Sequence, residues 1–234
     1  MLTARSEMAD LVITIDGPAA SGKSTVARLL ANKLDASFLD TGAMYRAVTL
    51  AAMQAGVDLK DERKLLEIVR RSEFQFSVEA GRTIVCIDNV DVTERIREPE
   101  VTANARHIAG APEVRDELVQ MQRQYAADSH RVVTEGRDQG TVAFADAHVK
   151  FFLTAEAGER ARRRQADLED KGSNQSLEQI QRAIEERDRS DESRAVGPLK
   201  PADDAVVVDT TDLSIGQVVE KLLLLVKERC SESN

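Results

Sequence analysis

The chain has 234 residues, 42% of them hydrophobic, and its 32 basic and 41 acidic side chains give a formal net charge of −9. This length suffices for one domain with a sizeable core, and the acidic balance argues against proteins that coat nucleic acids or bind anionic membranes, because neither gains counterion-release energy from it. No apolar run approaches the roughly 20 residues of a membrane helix, and we find no apolar core of signal-peptide type. Cys86 and Cys230 have neither metal-site nor disulfide spacing. We therefore expect a cytoplasmic protein that binds neither membrane nor nucleic acid.

Five short segments are predicted to form buried strands, because most of them are near-continuous apolar runs without strict alternation. They are residues 11–15, 37–39, 131–134, 148–153 and 205–208. Helical patterns lie between them, which indicates βαβ units and a three-layer α/β/α sandwich around a five-stranded parallel sheet. Residues 74–93 change to a period of two, with turns at Gly81 and at Asp88-Asn89, and this predicts a small inserted antiparallel meander.

A phosphate-binding loop (P-loop) is predicted directly after the first strand, where residues 17–24 match G-x-x-x-x-G-K-[ST]. Its glycines let backbone N–H groups turn inward at the N-terminus of the next helix, which forms an anion site. Lys23 is expected to reach the β- and γ-phosphates of a bound nucleotide, and the Ser24 hydroxyl to complete a Mg²⁺ shell. The residues predicted to bind this nucleotide are Gly17, Pro18, Ala19, Ala20, Ser21, Gly22, Lys23, Ser24 and Thr25.

Two other interpretations of this region are weaker. An ordinary glycine-containing turn with a surface lysine is disfavoured by the match to the motif and by its place between a strand and a helix. Residues 32–35 match the guanine-reading pattern N-K-x-D, but they lie on the helix that follows the P-loop. A base-reading loop should follow another strand and face the nucleotide from the far side.

Polar clusters follow three more of the predicted strands, at residues 40–46, 135–141 and 209–211. Ligands of open parallel sheets bind beyond the carboxyl ends of the strands, so these clusters and the P-loop should border one crevice. We expect Arg46, Arg137 and Asp138 to line it, with solvated loop residues as the alternative.

Two helical patterns near the C-terminal end carry arginines. One face of the later helix begins apolar and then becomes charged, through Leu177, Ile180, Ile184, Arg187, Asp191 and Arg194. Such a row favours a helix that runs from the core into the crevice, whereas the alternative is a surface ion pair. In the earlier helix Arg160, Arg163 and Arg164 share a face, while Arg162 points away from it. This pattern indicates a segment that closes over phosphates, with a solvated, salt-bridged helix as the alternative for Arg160 and Arg162.

Together these segments resemble the bacterial-type cytidylate kinases, which are nucleoside monophosphate (NMP) kinases. The resemblance rests on residues 12–18, 38–46, 112–115, 135–141, 187–194 and 198–211, and it extends from about residue 10 to about residue 225. It implies a single domain over residues 1–234, with a core (about 10–56, 100–158 and 195–230), an NMP-binding insertion (about 57–99) that contains the meander, and a helical lid (about 159–194).

The resemblance also implies the roles of individual residues. Lys23, Arg137, Arg163 and Arg194 would be catalytic, and CMP would be bound by Thr41, Tyr45, Arg46, Arg115, Arg137, Asp138, Arg187, Asp191 and Arg194. Among these, Arg46, Arg137 and Arg194 would hold the phosphate, whereas Tyr45, Arg187 and Asp191 would hold the sugar. Arg115 and Asp138 would face the cytosine near Thr41, because a carboxylate accepts from the cytosine amino group and is repelled by the uracil carbonyl. Arg106 departs from the family, which usually has a small hydroxyl residue there.

The implied reaction is the transfer of the γ-phosphoryl group from ATP, with Mg²⁺, to CMP or dCMP in pyrimidine nucleotide metabolism. We expect a monomer. A kinase of the same fold that uses UMP, AMP or another small acceptor is one alternative. A P-loop binding or switch protein without transferase activity is the other.

Overall fold

The computed structural model describes residues 11–79, 82–169 and 175–232. Its strands are β1 (Leu11–Asp16), β2 (Ser37–Asp40), β3 (Phe74–Glu79), β4 (Arg82–Ile87), β5 (Val90–Asp91), β6 (Arg131–Glu135), β7 (Val149–Thr154) and β8 (Val206–Asp209). Its helices are α1 (Lys23–Lys33), α2 (Thr41–Gln54), α3 (Glu62–Arg71), α4 (Pro99–Ala109), α5 (Pro112–Ser129), α6 (Ala157–Glu169), α7 (Leu177–Glu192) and α8 (Ile215–Glu232). None of these helices combines the length and the apolar character that crossing a membrane requires.

The main sheet has five parallel strands, as predicted, and their order is β2-β6-β1-β7-β8. β1 is central: Ile13 lies beside Val133 of β6 and beside Val149 of β7. Every strand runs one residue past its predicted end, and the added residues are Asp16, Asp40, Glu135, Thr154 and Asp209. Because these residues are polar, a pattern of apolar runs excludes them, yet they bring polar side chains to the edge where ligands of such sheets bind.

Helices cover both faces of the sheet, so the predicted three-layer sandwich is confirmed. On one face α1 and α8 pack against the sheet in a core that includes Ile13, Leu30 and Leu222. On the other face helices α2 to α5 share a core that includes Met44 and Leu118. These two layers hold the carboxyl ends of the strands, and the loops that follow them, in fixed positions.

The antiparallel meander is also confirmed, as a three-stranded sheet in the order β3-β4-β5 between α3 and α4. Asp88 and Asn89 have positive φ values of 51° and 64°, as their tight turn requires. The other predicted turn, with Gly81, lies outside the described residues. Val85 and Ile87 of β4 join the core beneath α2, so the meander is packed onto the domain.

The α6–α7 hairpin, residues 157–169 and 175–192, is the remaining part of the fold. Ala161, Ile180 and Ile184 form its own small core. α7 begins with a capping box, in which the Ser176 hydroxyl accepts from the backbone N–H of Gln179 and the Gln179 side chain accepts from that of Ser176. The apolar part of α7 thus packs on α6, and charged residues follow it toward the C-terminal end of α7.

Candidate active site

The P-loop has the backbone of an anion site, between the end of β1 and the first turn of α1. Gly22 has a φ of 86° and precedes the helix, so it adopts a left-handed conformation that strains other residues. Gly17 is required for a different reason: a Cβ atom there would overlap the carbonyl oxygen of Leu153 in β7. The loop therefore fits tightly against the neighbouring strand.

Lys23 is buried at the mouth of this loop, with 5% of its surface exposed. Its Nζ donates to the carbonyl oxygen of Pro18 at 2.7 Å and to the Ser21 hydroxyl at 3.3 Å. Burial and the charge of Arg137 lower the pKa of Lys23 to about 7, although Glu135 acts in the opposite direction. Since its hydrogen-bond acceptors are uncharged, an incoming phosphate would be a stronger partner for this ammonium group.

Glu135, at the end of β6, faces the P-loop and has no assigned role in the sequence predictions. It accepts a hydrogen bond of 2.8 Å from the Ser24 hydroxyl. Burial and the nearby Asp40 raise the pKa of Glu135, whereas Lys23 and Arg137 lower it. Its position could have identified Glu135 as a site residue, since an acid that ends the strand next to β1 must lie close to the P-loop.

Oxygen ligands of this kind suit Mg²⁺, which binds one or two protein groups together with water and substrate phosphates. Ser24 is exposed while Glu135 is buried beside it, so the hydroxyl and carboxylate oxygens form a pair open to the crevice. The described residues contain no group of three metal-ligating side chains of the His, Cys, Asp or Glu type. The pair therefore fits a Mg²⁺ ion that a nucleotide brings with it.

The structure brings together the arginines that the sequence analysis assigned to the acceptor phosphate and sugar. Asp191 of α7 is the centre: one carboxylate oxygen accepts from Arg137 Nε at 2.8 Å, and the other accepts from Arg194. Burial opposes the charged form of Arg137, but Asp191 together with Glu135 and Asp188 outweighs it, so the pKa of Arg137 is raised.

Arg187 is exposed, but it lies near enough to Arg137, Asp191 and Arg46 for their charges to act on it. There, displacement of water and the charge of Arg137 lower its pKa to about 10. The charged row of α7 thus extends into the crevice rather than over an open surface.

Arg46 and Thr41 enter the crevice from the start of α2. Asp40 caps this helix by accepting from the Ala43 N–H at 2.8 Å, and it also pairs with Arg46 at 3.5 Å. The Nε of Arg46 is buried without a hydrogen-bond partner, so the guanidinium can still donate to a ligand. The Thr41 hydroxyl instead donates to the backbone oxygen of Glu135 at 2.7 Å, which ties α2 to β6.

Arg115 and Asp138, the residues predicted to face the base, form a buried ion pair. Their side chains are 2% and 6% exposed, and Arg115 also donates to the carbonyl oxygen of Ala109 at 3.3 Å. Its guanidinium carbon lies 5.6 Å from the centre of the Tyr45 ring, within cation–π range. Burial raises the pKa of Asp138, and Arg115 opposes this shift. Gly197 lies directly against the pair.

Asp16 is a second buried acid that the sequence predictions did not assign. It ends β1 just before the P-loop and accepts from the backbone N–H groups of Gln139 at 2.9 Å and Gly140 at 2.7 Å. Desolvation raises its pKa to about 7, which these two hydrogen bonds only partly offset. Asp16 therefore joins the P-loop to the segment that carries Arg137 and Asp138.

Arg163 is the predicted catalytic residue that lies apart from this cluster. Its guanidinium pairs with Glu159 at 3.0 Å and donates to Thr210, to the hydroxyl at 3.0 Å and to the carbonyl oxygen at 2.6 Å. Arg106 is exposed on α4, where it borders a surface groove. Neither side chain contacts Lys23 or Asp138 in the described interactions.

The arginines of α6 divide between their two predicted environments. Arg162 is exposed and pairs with Glu159, as on a solvated helix. For Arg160 the solvated alternative is wrong: the side chain is buried against the P-loop and pairs with Asp188 of α7. The spacing that placed Arg187 and Asp191 on one face did not single out Asp188.

Known proteins are similar to this chain along nearly its whole length. The family model described as cytidylate kinase matches residues 13–228. A protein of Limosilactobacillus reuteri (strain DSM 20016) named cytidylate kinase is 46% identical over 223 residues, which are 95% of this chain and 97% of that protein. A cytidylate kinase of Rhodopirellula baltica (strain DSM 10527 / NCIMB 13988 / SH1) is 45% identical over 218 residues, with 93% of each chain covered.

A solved structure of an uncharacterized protein from Eubacterium ventriosum ATCC 27560 shares the fold, with a TM-score of 0.50 and 13% identity. The alignment covers 94% of this chain and 99% of that one. The family match over nearly the whole chain, at this level of identity, confirms the resemblance read from the motifs: the chain belongs to the cytidylate kinase family.

Proposed function

We propose that this chain transfers the γ-phosphoryl group of ATP to CMP or dCMP, which gives ADP and CDP or dCDP. One observation supports the proposal beyond family membership. Lys23 and the arginine cluster around Asp191 come from distant parts of the chain, yet at one edge of the sheet they lie close enough for the charge of Arg137 to lower the pKa of Lys23. An arginine cluster that adjoins a P-loop can hold an acceptor phosphate next to the donor phosphate.

The donor site would consist of residues 17–25. Backbone N–H groups of the P-loop other than that of Ala19, which donates to Asp188, would surround the β-phosphate, and the Nζ of Lys23 would exchange Pro18 for phosphate oxygens. Ser24 and Glu135 would hold Mg²⁺, directly or through water. When bound, this ion would neutralise charge on the β- and γ-phosphates.

The acceptor site would lie between the ends of β2, β6 and α7. Arg46, Arg137 and Arg194 would bind the CMP phosphate, and Tyr45, Arg187 and Asp191 would bind the sugar. Asp138, held by Arg115 and with Thr41 nearby, would accept from the cytosine amino group. Its second carboxylate oxygen, Oδ1, would make this contact, because Arg115 donates to Oδ2.

Little proton transfer is needed, because the attacking phosphate oxygen is already an anion. The chain's task is therefore to align this oxygen with the γ-phosphorus and to neutralise charge that spreads over the transferring group. Lys23 would do so from the donor side, and Arg137 and Arg194 from the acceptor side, with Asp191 keeping both guanidinium groups oriented. Arg163 would join them only after leaving Thr210.

We also propose the division of the domain that the resemblance implied. Residues 57–99 would bind the acceptor as an insertion, and residues 159–194 would close as a lid that excludes water and so suppresses ATP hydrolysis. Because all of these groups come from one chain, a monomer suffices for activity. We propose the cytoplasm as its compartment, since both cysteines are unpaired.

A panel of acceptors tests the proposal. Purified protein with ATP and Mg²⁺ is incubated with CMP, dCMP, UMP or AMP, and the diphosphates formed are separated by chromatography. We expect the highest kcat/KM with CMP or dCMP. Fastest turnover with AMP would overturn the cytosine assignment, and nucleotide binding without any CDP would favour a P-loop switch protein instead.

A further inference from the structure

Arg160 and Asp188 hold the backbone of Ala19 in the P-loop from both sides. The Ala19 N–H donates to Asp188 Oδ1 at 3.0 Å, and the Ala19 carbonyl oxygen accepts from Arg160 Nη1 at 3.1 Å. The same Arg160 nitrogen pairs with Asp188 Oδ2. We call these three residues the Ala19 clamp; neither of its charged side chains is used by the proposed chemistry.

The Ala19 clamp is buried and electrically balanced. Arg160 is 8% exposed and Asp188 is 7% exposed. Arg160 also donates from Nε to the carbonyl oxygen of Ala155, just past β7, at 3.0 Å. A buried carboxylate and guanidinium are stable only when each is paired and hydrogen-bonded. The two side chains therefore tie three parts of the fold together: the end of β7, the P-loop and α7.

The position of Asp188 on α7 connects the clamp to the acceptor site. Arg187 is its neighbour in the chain, and Asp191, which orients Arg137 and Arg194, lies three residues further along. In an α-helix such residues are separated by less than one turn, or about 5 Å along the axis. When Asp188 is fixed to the P-loop, the direction in which Arg187 and Asp191 project is fixed as well.

We infer that Arg160 and Asp188 are positioning residues that set the distance between the P-loop and the arginine cluster around Asp191. The inference rests on the proposed function, because the distance matters only if a phosphoryl group crosses it. Misplacement of reacting groups by about 1 Å can lower a rate about 100-fold, so loosening the clamp should affect turnover more than the amount of folded protein.

The first test is Asp188→Ala, with Glu186→Ala as its matched control. Glu186 is an exposed acid on the same helix. We expect Asp188→Ala to lower kcat/KM for ATP about 10- to 100-fold, and to raise the KM for ATP because Ala19 is no longer held. The control variant should stay within about twofold of the unchanged enzyme. Asp188→Asn, whose amide oxygen can still accept from Ala19, should recover part of the loss.

A double variant separates positioning from stability. Replacing a buried ion pair by apolar residues of similar size is often neutral or stabilising, so Arg160→Met/Asp188→Leu should keep a melting temperature near that of the unchanged protein. It cannot hold the N–H or the carbonyl group of Ala19, so its turnover should stay low. If the double variant regains both the melting temperature and kcat/KM to within twofold, the clamp is only structural and the inference is wrong.

Calorimetric titration with ATP in the absence of CMP keeps the inference distinct from the proposed function. We expect the folded double variant to bind ATP at least about fivefold more weakly than the unchanged protein. An equal affinity would overturn the part of the inference that concerns the P-loop. If the unchanged protein made no CDP, the proposed function would fail, and this titration would still show whether the clamp shapes the ATP site.

Discussion

Removing the carboxylate of Asp138 should affect both stability and base selectivity. In Asp138→Ala the guanidinium of Arg115 stays buried, with 2% of its side chain exposed and without its charged partner. Its Nε already has no hydrogen-bond partner in the described structure, so the remaining contacts with Ala109 and Tyr45 cannot compensate. The variant thus leaves an unpaired charge in the protein interior.

The expected loss follows from this geometry. Breaking a buried ion pair by removing one partner costs about 3–5 kcal/mol of unfolding free energy. A chain of this size loses about 2–4 °C of melting temperature per kcal/mol, so the decrease should be about 6–20 °C. Asp146→Ala is the matched control, because its pair with Arg123 is exposed at both ends, and such pairs contribute at most about 1 kcal/mol.

Selectivity is measured on the same proteins. A carboxylate that reads an amino group is worth about 1–3 kcal/mol of discrimination, so the ratio of kcat/KM for CMP to that for UMP should fall about 5- to 150-fold in Asp138→Ala and stay constant in Asp146→Ala. Thermal unfolding by circular dichroism gives the melting temperatures. An unchanged CMP-to-UMP ratio would refute the base contact, and a decrease no larger than that of the control would refute the argument from the buried pair.

Three further predictions concern the donor site. Lys23→Ala should lose at least about 100-fold in kcat while its circular dichroism spectrum stays unchanged; retained activity would contradict the role of Lys23. Because the pKa of Lys23 in the free protein is lowered to about 7, its charged form is lost above that pH, and kcat/KM for ATP should fall from pH 7 to pH 9. Lys23→Arg, which stays charged, should lack this decrease, and a decrease that persists would point to another group. Glu135→Gln should raise the Mg²⁺ concentration for half-maximal rate about 10-fold, and an unchanged requirement would exclude Glu135 from the metal site.

Local patterns were sufficient to predict the sheet and the P-loop. Parallel strands covered on both faces are apolar along their length, so all five strands could be located without reference to their partners. The match at residues 17–24 defines a loop conformation by itself. A side chain at Gly17 would overlap the neighbouring strand, and the positive φ of Gly22 would strain any other residue. The polar residue that ends each strand escaped the pattern, because it contributes to a site rather than to the core.

The residues that escaped prediction act across long separations in the sequence. Asp188 contacts Ala19 over 169 positions, and Ser24 contacts Glu135 over 111. No periodicity in a single helix or strand contains such pairings; they follow only from the order of the strands and the crossing of α7 over the P-loop. For the same reason the spacing of arginines in α6 could not show that Arg160, rather than Arg163 on the same face, pairs with Asp188.

The place of β1 in the sheet has a consequence for synthesis of the chain. Its neighbours on both sides, Arg131–Glu135 and Val149–Thr154, follow it by more than a hundred residues. Chains in which early segments wait for distant partners fold slowly, since loop closure must precede the contacts that reward it. During translation the first strand therefore leaves the ribosome well before it can join a sheet, and nucleotide binding cannot assist folding until most of the polypeptide has emerged.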